Sequence, residues 1–412
     1  MMNNLNLLEE LKLRGFIYQE SDSAGMQELM STGPQFAYVG FDCTADSLHV
    51  GSLMPIMLMR RWQQAGHRPI ILLGGATTLI GDPTGKDQSR QLLTPEQIKI
   101  NKESLKTIFE KFIDFNDPDH GAIIVDNYDW WKDVSYLDIL RDVGSLVTVN
   151  RMLTFETVQR RLEREQPLTF LEFNYMILQG YDFVHLIRTH QCRFQFGGSD
   201  QWGNMISGLE LARKMGLPSA FVMTTPLLTT ASGAKMGKTE QGAVWLNNER
   251  LSDYDYWQFW RNCDDRDVER FLKLFTDLSL ETIADVINDS SEDALNQAKV
   301  LLANEQTTMC RGSHAQKVCY AQAQAIFAKG EDFDPAMLPK LSLISEQCLL
   351  ADFLVQEQLA PSKGNAKTLI RQGAVKLNHE SVTDEFKLIE RAQLGSGLVL
   401  SVGKKRHFLI IE

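Results

Sequence analysis

Five short apolar runs separated by helical patterns constrain this 412-residue chain more than any other feature. The runs are Phe36–Phe41, Pro69–Leu73, Ala122–Asp126, Arg193–Phe196 and Ala220–Met223. They read as strands of a buried parallel sheet, and the stretches between them, such as Met54–Ala65, Thr94–Phe115 and Asp200–Met215, read as helices. Such alternation predicts an α/β fold with a doubly wound, Rossmann-like parallel sheet, whose ligands sit beyond the carboxyl ends of the strands. Arg151–Arg164 and Thr169–Thr189 are helical and interrupt the alternation, so they read as an insertion at about 127–190. Leu5, Leu8, Leu11 and Leu13 read as one face of a leading helix. From Ser252 to Gly330 the pattern is almost wholly helical. The stretch "FAKGEDFDPAMLPKLSLIS" carries Gly330, Pro335 and Pro339 and reads as a linker. Beyond it a compact tail shows helices at Leu349–Gln358 and Asn365–Gln372 and strands at Ala374–Leu377, Leu398–Val402 and Phe408–Ile411. The expected domains are therefore 1–250, an all-helical 251–330, a linker at 331–340 and a small α+β tail at 341–412.

Composition narrows the class. A hydrophobic content of 43% and a charged content of 23% are ordinary for a globular protein, and no apolar run reaches the length of a membrane span. The opening "MMNNLNLLEELKLRG" has carboxylates where a secretion signal needs a basic and then an apolar stretch. Six cysteines without a CxxC pair argue for a reducing compartment and against a structural zinc site. A cytoplasmic protein without membrane contact or dedicated metal site is expected. The net charge of −11 is unevenly spread: from Lys340 onward ten Lys/Arg face eight Asp/Glu, so the tail carries +2 and the remainder −13. That asymmetry fits a tail that meets a polyanion, and equally a small near-neutral domain.

Three loops carry chemistry. "SLHVGS" (Ser47–Ser52) follows the first strand and opens a helix, where backbone N–H groups and the helix dipole attract anions and Gly51 lets a ligand approach the backbone. Alone, His49 there is equally a helix-capping histidine. "GGATTLIGDPTGKDQSR" follows the second strand with Lys86 and Arg90. It is not a phosphate-binding P-loop, because Gly81 and Gly85 are too close and Asp87 stands where Ser or Thr is required. It fits a basic loop closing over polyphosphate, or a plain glycine-rich surface loop. "TTASGAKMGKTEQGAVWL" sets Lys235, Lys238 and Thr239 in a loop after the last strand, where they can surround a phosphate chain or be solvated. No GxGxxG is present, which disfavours a dehydrogenase.

"SLHVGS" paired with "KMGKT" about 185 residues later resembles the double signature of class I aminoacyl-tRNA synthetases. "YVGFDCTADSLHVGSL", "GHRPIILLGGATTLIGDPTGK", "NYDWW", "EFNYMILQGYDF" and "FGGSDQWGN" resemble the bacterial-type tyrosyl-tRNA synthetases in particular, over nearly the whole chain. The tail resembles a small RNA-binding fold shared with a ribosomal small-subunit protein.

The resemblance implies a ligase that activates L-tyrosine with ATP, releasing pyrophosphate, and passes the tyrosyl group to the 3′ end of tRNA(Tyr). ATP would be a substrate, with Mg²⁺ on its phosphates. Because no covalent enzyme intermediate is needed, catalysis is positioning plus stabilisation of charge on the leaving pyrophosphate. Thr44 and His49 would donate to the phosphates, Lys86 and Arg90 would close over them, and Lys235, Lys238 and Thr239 would approach from the far side. Gly40, Asp42, Gly51 and Ser52 would border the nucleotide, with Gly198 and Asp200 near the ribose. Tyr38 and Asp182 would meet the substrate hydroxyl, Asp82, Tyr175 and Gln179 the ammonium, and Gln201 the carboxylate. The spacing of Tyr175, Gln179 and Asp182 is i, i+4, i+7, which puts them on one helix face. Tyrosyl-tRNA synthetases are the standard example of a site that hydrogen-bonds a hydroxyl and so rejects phenylalanine by about 10⁵ without editing. Lys363, Asn365, Lys367 and Arg371 would contact tRNA from the tail. A homodimer is implied, with its two-fold contact near Val149–Leu162.

Some positions depart from the family pattern: Ser52 where a second histidine is usual, Val39 for cysteine, Cys43 for proline and Gly237 for serine. Three other readings compete. A tryptophanyl relative suits the Tyr38 and Asp182 pair less well. A catalytically retired RNA-binding protein should have lost His49, Lys86, Lys235 and Lys238. A small-molecule nucleotidylyltransferase has no use for the tail.

Overall fold

The computed structural model describes residues 6–82, 93–231, 233, 236–239, 242–327, 335, 338–395, 397–403 and 406–411. The chain divides into two compact units, Met1–Cys310 and Arg311–Glu412. The first is built on a six-stranded sheet: β1 (Gln19–Glu20), β2 (Phe36–Phe41), β3 (Arg68–Leu73), β4 (Ile123–Asp126), β5 (Phe194–Gly198) and β6 (Phe221–Thr225). Its spatial order is β1-β6-β5-β2-β3-β4, parallel throughout except for the antiparallel edge strand β1. The five long strands match the five apolar runs, and the α/β expectation holds.

The order places a topological switch between β2 and β5, since the chain runs outward from β2 through β3 to β4 and returns to β5 on its other side. Pairing differs on the two flanks of β2. Against β3 all six residues are in register, from Phe36 with Arg68 to Phe41 with Leu73. Against β5 only Ala37 with Phe194 and Tyr38 with Gln195 pair. Both strands continue beyond that rung, so the sheet opens into a crevice at its carboxyl end.

Two helices wall the crevice. Phe170–His190 starts at a capping box in which the Thr169 hydroxyl accepts from the Glu172 N–H and the Glu172 carboxylate accepts from the Thr169 N–H. It packs against Trp202–Lys214 through Gly180 and Gly208: a Cβ on Gly180 would lie 3.4 Å from the Gly208 Cα. Close backbone approach fixes how far Tyr175, Gln179 and Asp182 reach over the sheet.

Several boundaries differ from expectation. Arg151–Arg164 is two helices, Val149–Met152 and Glu156–Glu163, broken where Phe155 turns into a small core with Met152, Val158 and Met176. The helix expected to reach Phe115 ends at Phe109, and Phe112 and Ile113 are buried in the turns after it. The leading helix Leu7–Arg14 buries Leu8 and Leu11, but Leu13 is 55% exposed: it lies two residues, or about 200°, from Leu11; Leu5 lies outside the described residues. The helices from Asp253 to Cys310 belong to the first unit rather than standing apart. Arg14 and Arg61 donate to the carbonyls of Lys273 and Thr276, and Arg60 pairs with Asp277.

In the first unit a two-stranded ribbon, β7 (Lys238–Thr239) with β8 (Gly242–Ala243), follows the sheet. In the second unit, β9 (Lys340–Ser342), β11 (Val375–Leu377), β12 (Glu380–Val382), β14 (Leu398–Val402) and β15 (Arg406–Ile411) form one sheet, while β10 (Gln347–Leu349) pairs with β13 (Leu388–Glu390). Helices Leu350–Gln356 and Lys363–Arg371 cover an apolar core that includes Phe353, Ile370, Val375 and Leu400. Among the described residues no helix is long and apolar enough to cross a membrane.

Candidate active site

A cavity of about 350 Å³ occupies the crevice. It is lined by Tyr38, Gly40, Asp42, Gly51, Ser52, Asp82, Tyr175, Gln179, Asp182, Gly198, Asp200 and Gln201, so twelve residues singled out from the sequence meet there. Thr44 and His49 do not line it; Thr44 is exposed and His49 stands on the adjoining loop. Lys86, Arg90 and Lys235 lie outside the described residues, and of Lys238 and Thr239 only the backbone, in β7, is described. Among the described residues no group of three or more His, Cys, Asp or Glu side chains comes together to hold a metal.

At the deep end, Asp182 is 2% exposed and is held by three donors. The Asn127 amide donates to Oδ2 at 3.0 Å, and the Trp130 and Trp131 indole N–H groups donate to Oδ1 at 2.9 and 2.7 Å. Burial pushes the Asp182 carboxyl up to about 7 although these bonds pull it down, and the Asp42 charge adds to the rise. Tyr38, its neighbour on β2, is buried and its hydroxyl has no hydrogen-bond partner among the described residues. Burial, then the Asp182 charge, hold that phenol well above its ordinary range. A buried hydroxyl without a partner costs free energy, so this end of the cavity presents an unmet donor and an acceptor side by side.

The next ring of polar groups is mutually tied. Tyr175 O–H donates to Asp42 Oδ1 at 3.5 Å, Thr77 donates to the same oxygen at 3.2 Å, and Gln201 donates to Asp82 Oδ2 at 2.9 Å. The Gln179 and Gln195 side-chain carbonyls are buried without partners among the described residues. Asn127, Trp130, Trp131, Thr77 and Gln195 were not assigned roles from the sequence. Asn127 and the two tryptophans lie in "NYDWW", directly after β4, and that position beyond a strand end was the available signal.

At the mouth, His49 Nδ1 accepts the Gly51 N–H at 3.0 Å and caps the short turn Val50–Ser52. A neutral imidazole that accepts at Nδ1 carries its proton on Nε2. Capping and donation are thus compatible. Ser52 makes no side-chain cap bond and faces the cavity. The two signature loops touch: His49 bridges Trp245, Val50 N–H donates to Val244 O, and Leu246 N–H donates to Leu48 O. Gly237, in place of serine, has φ +91°, and a Cβ there would lie 2.7 Å from His49 Nδ1. The glycine is required by both conformation and space.

In the second unit, Lys363, Lys367 and Arg371 lie along one face of their helix, and each faces an acid: Lys363 with Asp352 at 2.6 Å, Lys367 and Arg371 with Glu385 at 3.8 and 3.2 Å. Asn365 donates its N–H to the Ser362 cap.

A Rossmann-like crevice with an H-x-G loop at its mouth, held against the loop that carries Met236 and Gly237, defines the class, and comparison with known proteins agrees. Residues 30–328 match the model of tRNA synthetases class I (W and Y), and residues 333–410 match that of the tyrosine–tRNA ligase SYY-like C-terminal domain. The tyrosine–tRNA ligase of Caulobacter vibrioides is 50% identical over 409 residues, covering 98% of this chain and 97% of that one. That of Pelagibacter ubique is 44% identical over 407 residues, covering 98% of each. Among solved structures, a C-terminally truncated mitochondrial tyrosyl-tRNA synthetase from Aspergillus nidulans is 28% identical with a TM-score of 0.71, covering 79% of this chain and 95% of that one. The chain belongs to the tyrosine–tRNA ligase family of class I synthetases. Its reaction is that of the family, ATP-dependent activation of tyrosine and charging of tRNA.

Proposed function

We propose that the crevice residues divide the work as follows. Tyr38 and Asp182 take the phenol, Asp82, Tyr175 and Gln179 the ammonium, and Gln201 the carboxylate, while Asp200 and Gly198 meet the ribose. The observation that carries this reading is the Tyr38 hydroxyl, buried beside Asp182 with no partner, at the closed end of the cavity. A phenol answers it by accepting from Tyr38 and donating to the carboxylate. Tyrosine's carboxylate then attacks the α-phosphate and pyrophosphate leaves. Thr44 and His49 donate to the phosphates from the first loop, and Lys86, Arg90, Lys235, Lys238 and Thr239 complete the cradle. Mg²⁺ enters with ATP as counter-ion of the phosphates. The family's frequent second histidine is Ser52 here, which offers a hydroxyl to the same space.

The tail is proposed to grip tRNA(Tyr) through Lys363, Asn365, Lys367 and Arg371, with phosphates displacing Asp352 and Glu385 as partners. A homodimer is proposed through the insertion, supported by exposed apolar side chains at Tyr136, Leu137, Val149, Leu153, Leu162 and Phe170, between 39% and 73% exposed. The six free cysteines suit a reducing cytoplasm.

Tyrosine-dependent ATP–pyrophosphate exchange, with phenylalanine and tryptophan alongside, tests the assignment. Exchange with tyrosine that is lost in Tyr38→Phe and Asp182→Asn supports it. Full exchange in both variants would remove the phenol assignment.

A further inference from the structure

Asp182 holds more donors than the recognition of one hydroxyl requires. A carboxylate offers about four lone-pair directions, two on each oxygen. Trp131 and Trp130 occupy both on Oδ1, and Asn127 occupies one on Oδ2. One acceptor position remains, and it is on Oδ2. The two tryptophans do not line the cavity; their indole N–H groups bear on it through Asp182. They are also held differently. Trp130 stacks on His185 with centroids 4.2 Å apart and packs against the core, whereas Trp131 meets Tyr181 at 5.0 Å in a tilted contact.

We propose that Trp131 is a specificity-determining positioning residue: with Trp130 it saturates Oδ1, so that the substrate hydroxyl is accepted by Oδ2 alone. The proposal rests on the reading of this cavity end as the phenol site. The direction of both bonds then follows. The phenol gives its single proton to Oδ2 and accepts the Tyr38 proton. A substrate lacking the hydroxyl leaves two buried groups unmet, and one bringing two protons finds an acceptor for only one. Without the Trp131 donor, Oδ1 regains a free lone pair, the carboxylate is no longer committed to one orientation, and discrimination at the para position weakens.

Trp131→Phe keeps a ring against Tyr181 and removes the donor. In pyrophosphate exchange, kcat/KM for tyrosine is expected to fall about tenfold, mainly through KM, as for the loss of one hydrogen bond to a charged group. The weak exchange with phenylalanine should hardly change, so the tyrosine-to-phenylalanine ratio falls by the same factor. A merely structural role lowers both substrates together and leaves the ratio unchanged, which overturns the proposal. Tyr38→Phe run in parallel separates the two readings. If it lowers the ratio and Trp131→Phe does not, only the role of Trp131 fails; if neither lowers it, the phenol site itself is misplaced. The unmodified enzyme supplies a readout that does not depend on a variant folding. 4-Aminophenylalanine, with two N–H donors at the para position, should be activated at least tenfold less efficiently than tyrosine. Parity would mean that Asp182 accepts at both oxygens and would also overturn the proposal.

Discussion

Gly237 and His49 stand so close that a Cβ on Gly237 would lie 2.7 Å from the imidazole Nδ1. The second signature loop therefore holds the first in place, and the Gly237 backbone packs against the same Nδ1 edge of the imidazole that accepts the Gly51 N–H.

Gly237→Ala should disturb that packing. A non-glycine residue at φ +91° costs about 1–3 kcal/mol in strain, and the added methyl group pushes on His49. The expected outcome is a several-fold lower kcat for pyrophosphate exchange with the KM for tyrosine nearly unchanged, measured by steady-state kinetics. An unchanged kcat would mean that the two loops separate during the reaction.

His49→Ala removes a donor that the assignment aims at charge developing on the phosphates. Loss of one such donor lowers kcat by about 10²–10³. Tyrosine affinity, read by equilibrium titration, should stay within a few-fold, because the phenol end lies on other elements. A variant that weakened tyrosine binding as much as turnover would point to collapse of the loop instead.

Asp182 sets a pH dependence. Its folded-state carboxyl is raised to about 7, so on the proposed assignment it would accept the substrate hydroxyl fully only above that value. The KM for tyrosine should rise as pH falls from 8 to 6, with kcat less affected. For stability the sign is opposite: a raised acid contributes below its unfolded value near 4, and that contribution is lost as pH rises through 7. On the proposed assignment Asp182 gives up some stability as it ionises around neutral pH to serve its substrate. A KM that is flat across this window would remove Asp182 from the phenol contact.

Gly180→Val tests the contact of the helix that carries Tyr175, Gln179 and Asp182. With Gly208 3.4 Å from the new Cβ, overpacking should cost about 1–3 kcal/mol. Thermal or urea unfolding would report this, and an unaltered Tm would show that the helices can separate freely.

Deleting residues 341–412 should spare adenylate formation and abolish tRNA charging. Charging at the full-length rate by the truncated chain would deny the tail its role.

Much of this was readable from residues, and the exceptions share a cause. The five strands announced themselves as apolar runs because β2, β3, β5 and β6 are largely buried, and the half-buried edge strand β4 is itself short and aliphatic. The two-residue edge strand β1 carried no pattern, since Gln19 and Glu20 are defined by their pairing with Thr224 and Met223, over two hundred residues away. The strands β12 and β13 are three residues each and largely polar or exposed, below what periodicity resolves. In the site, the family resemblance singled out Tyr175, Gln179 and Asp182, and their i, i+4, i+7 spacing put them on one helix face. Trp131 did not emerge, because its indole N–H becomes meaningful only once the end of β4 is placed beside the helix that bears Asp182. Gly237 looked like a departure until its φ and its distance from His49 gave it a reason.

The short pairing between β2 and β5 has a further consequence. Two residue pairs join the halves of the sheet on either side of the switch, and beyond Tyr38 and Gln195 the strands part. The crevice spans that seam, lined by Gly40 and Asp42 on one bank and Gly198 and Asp200 on the other. On the proposed assignment a bound adenylate is a keystone between the two banks, and letting it go would mean unlocking the arch as well as emptying a pocket.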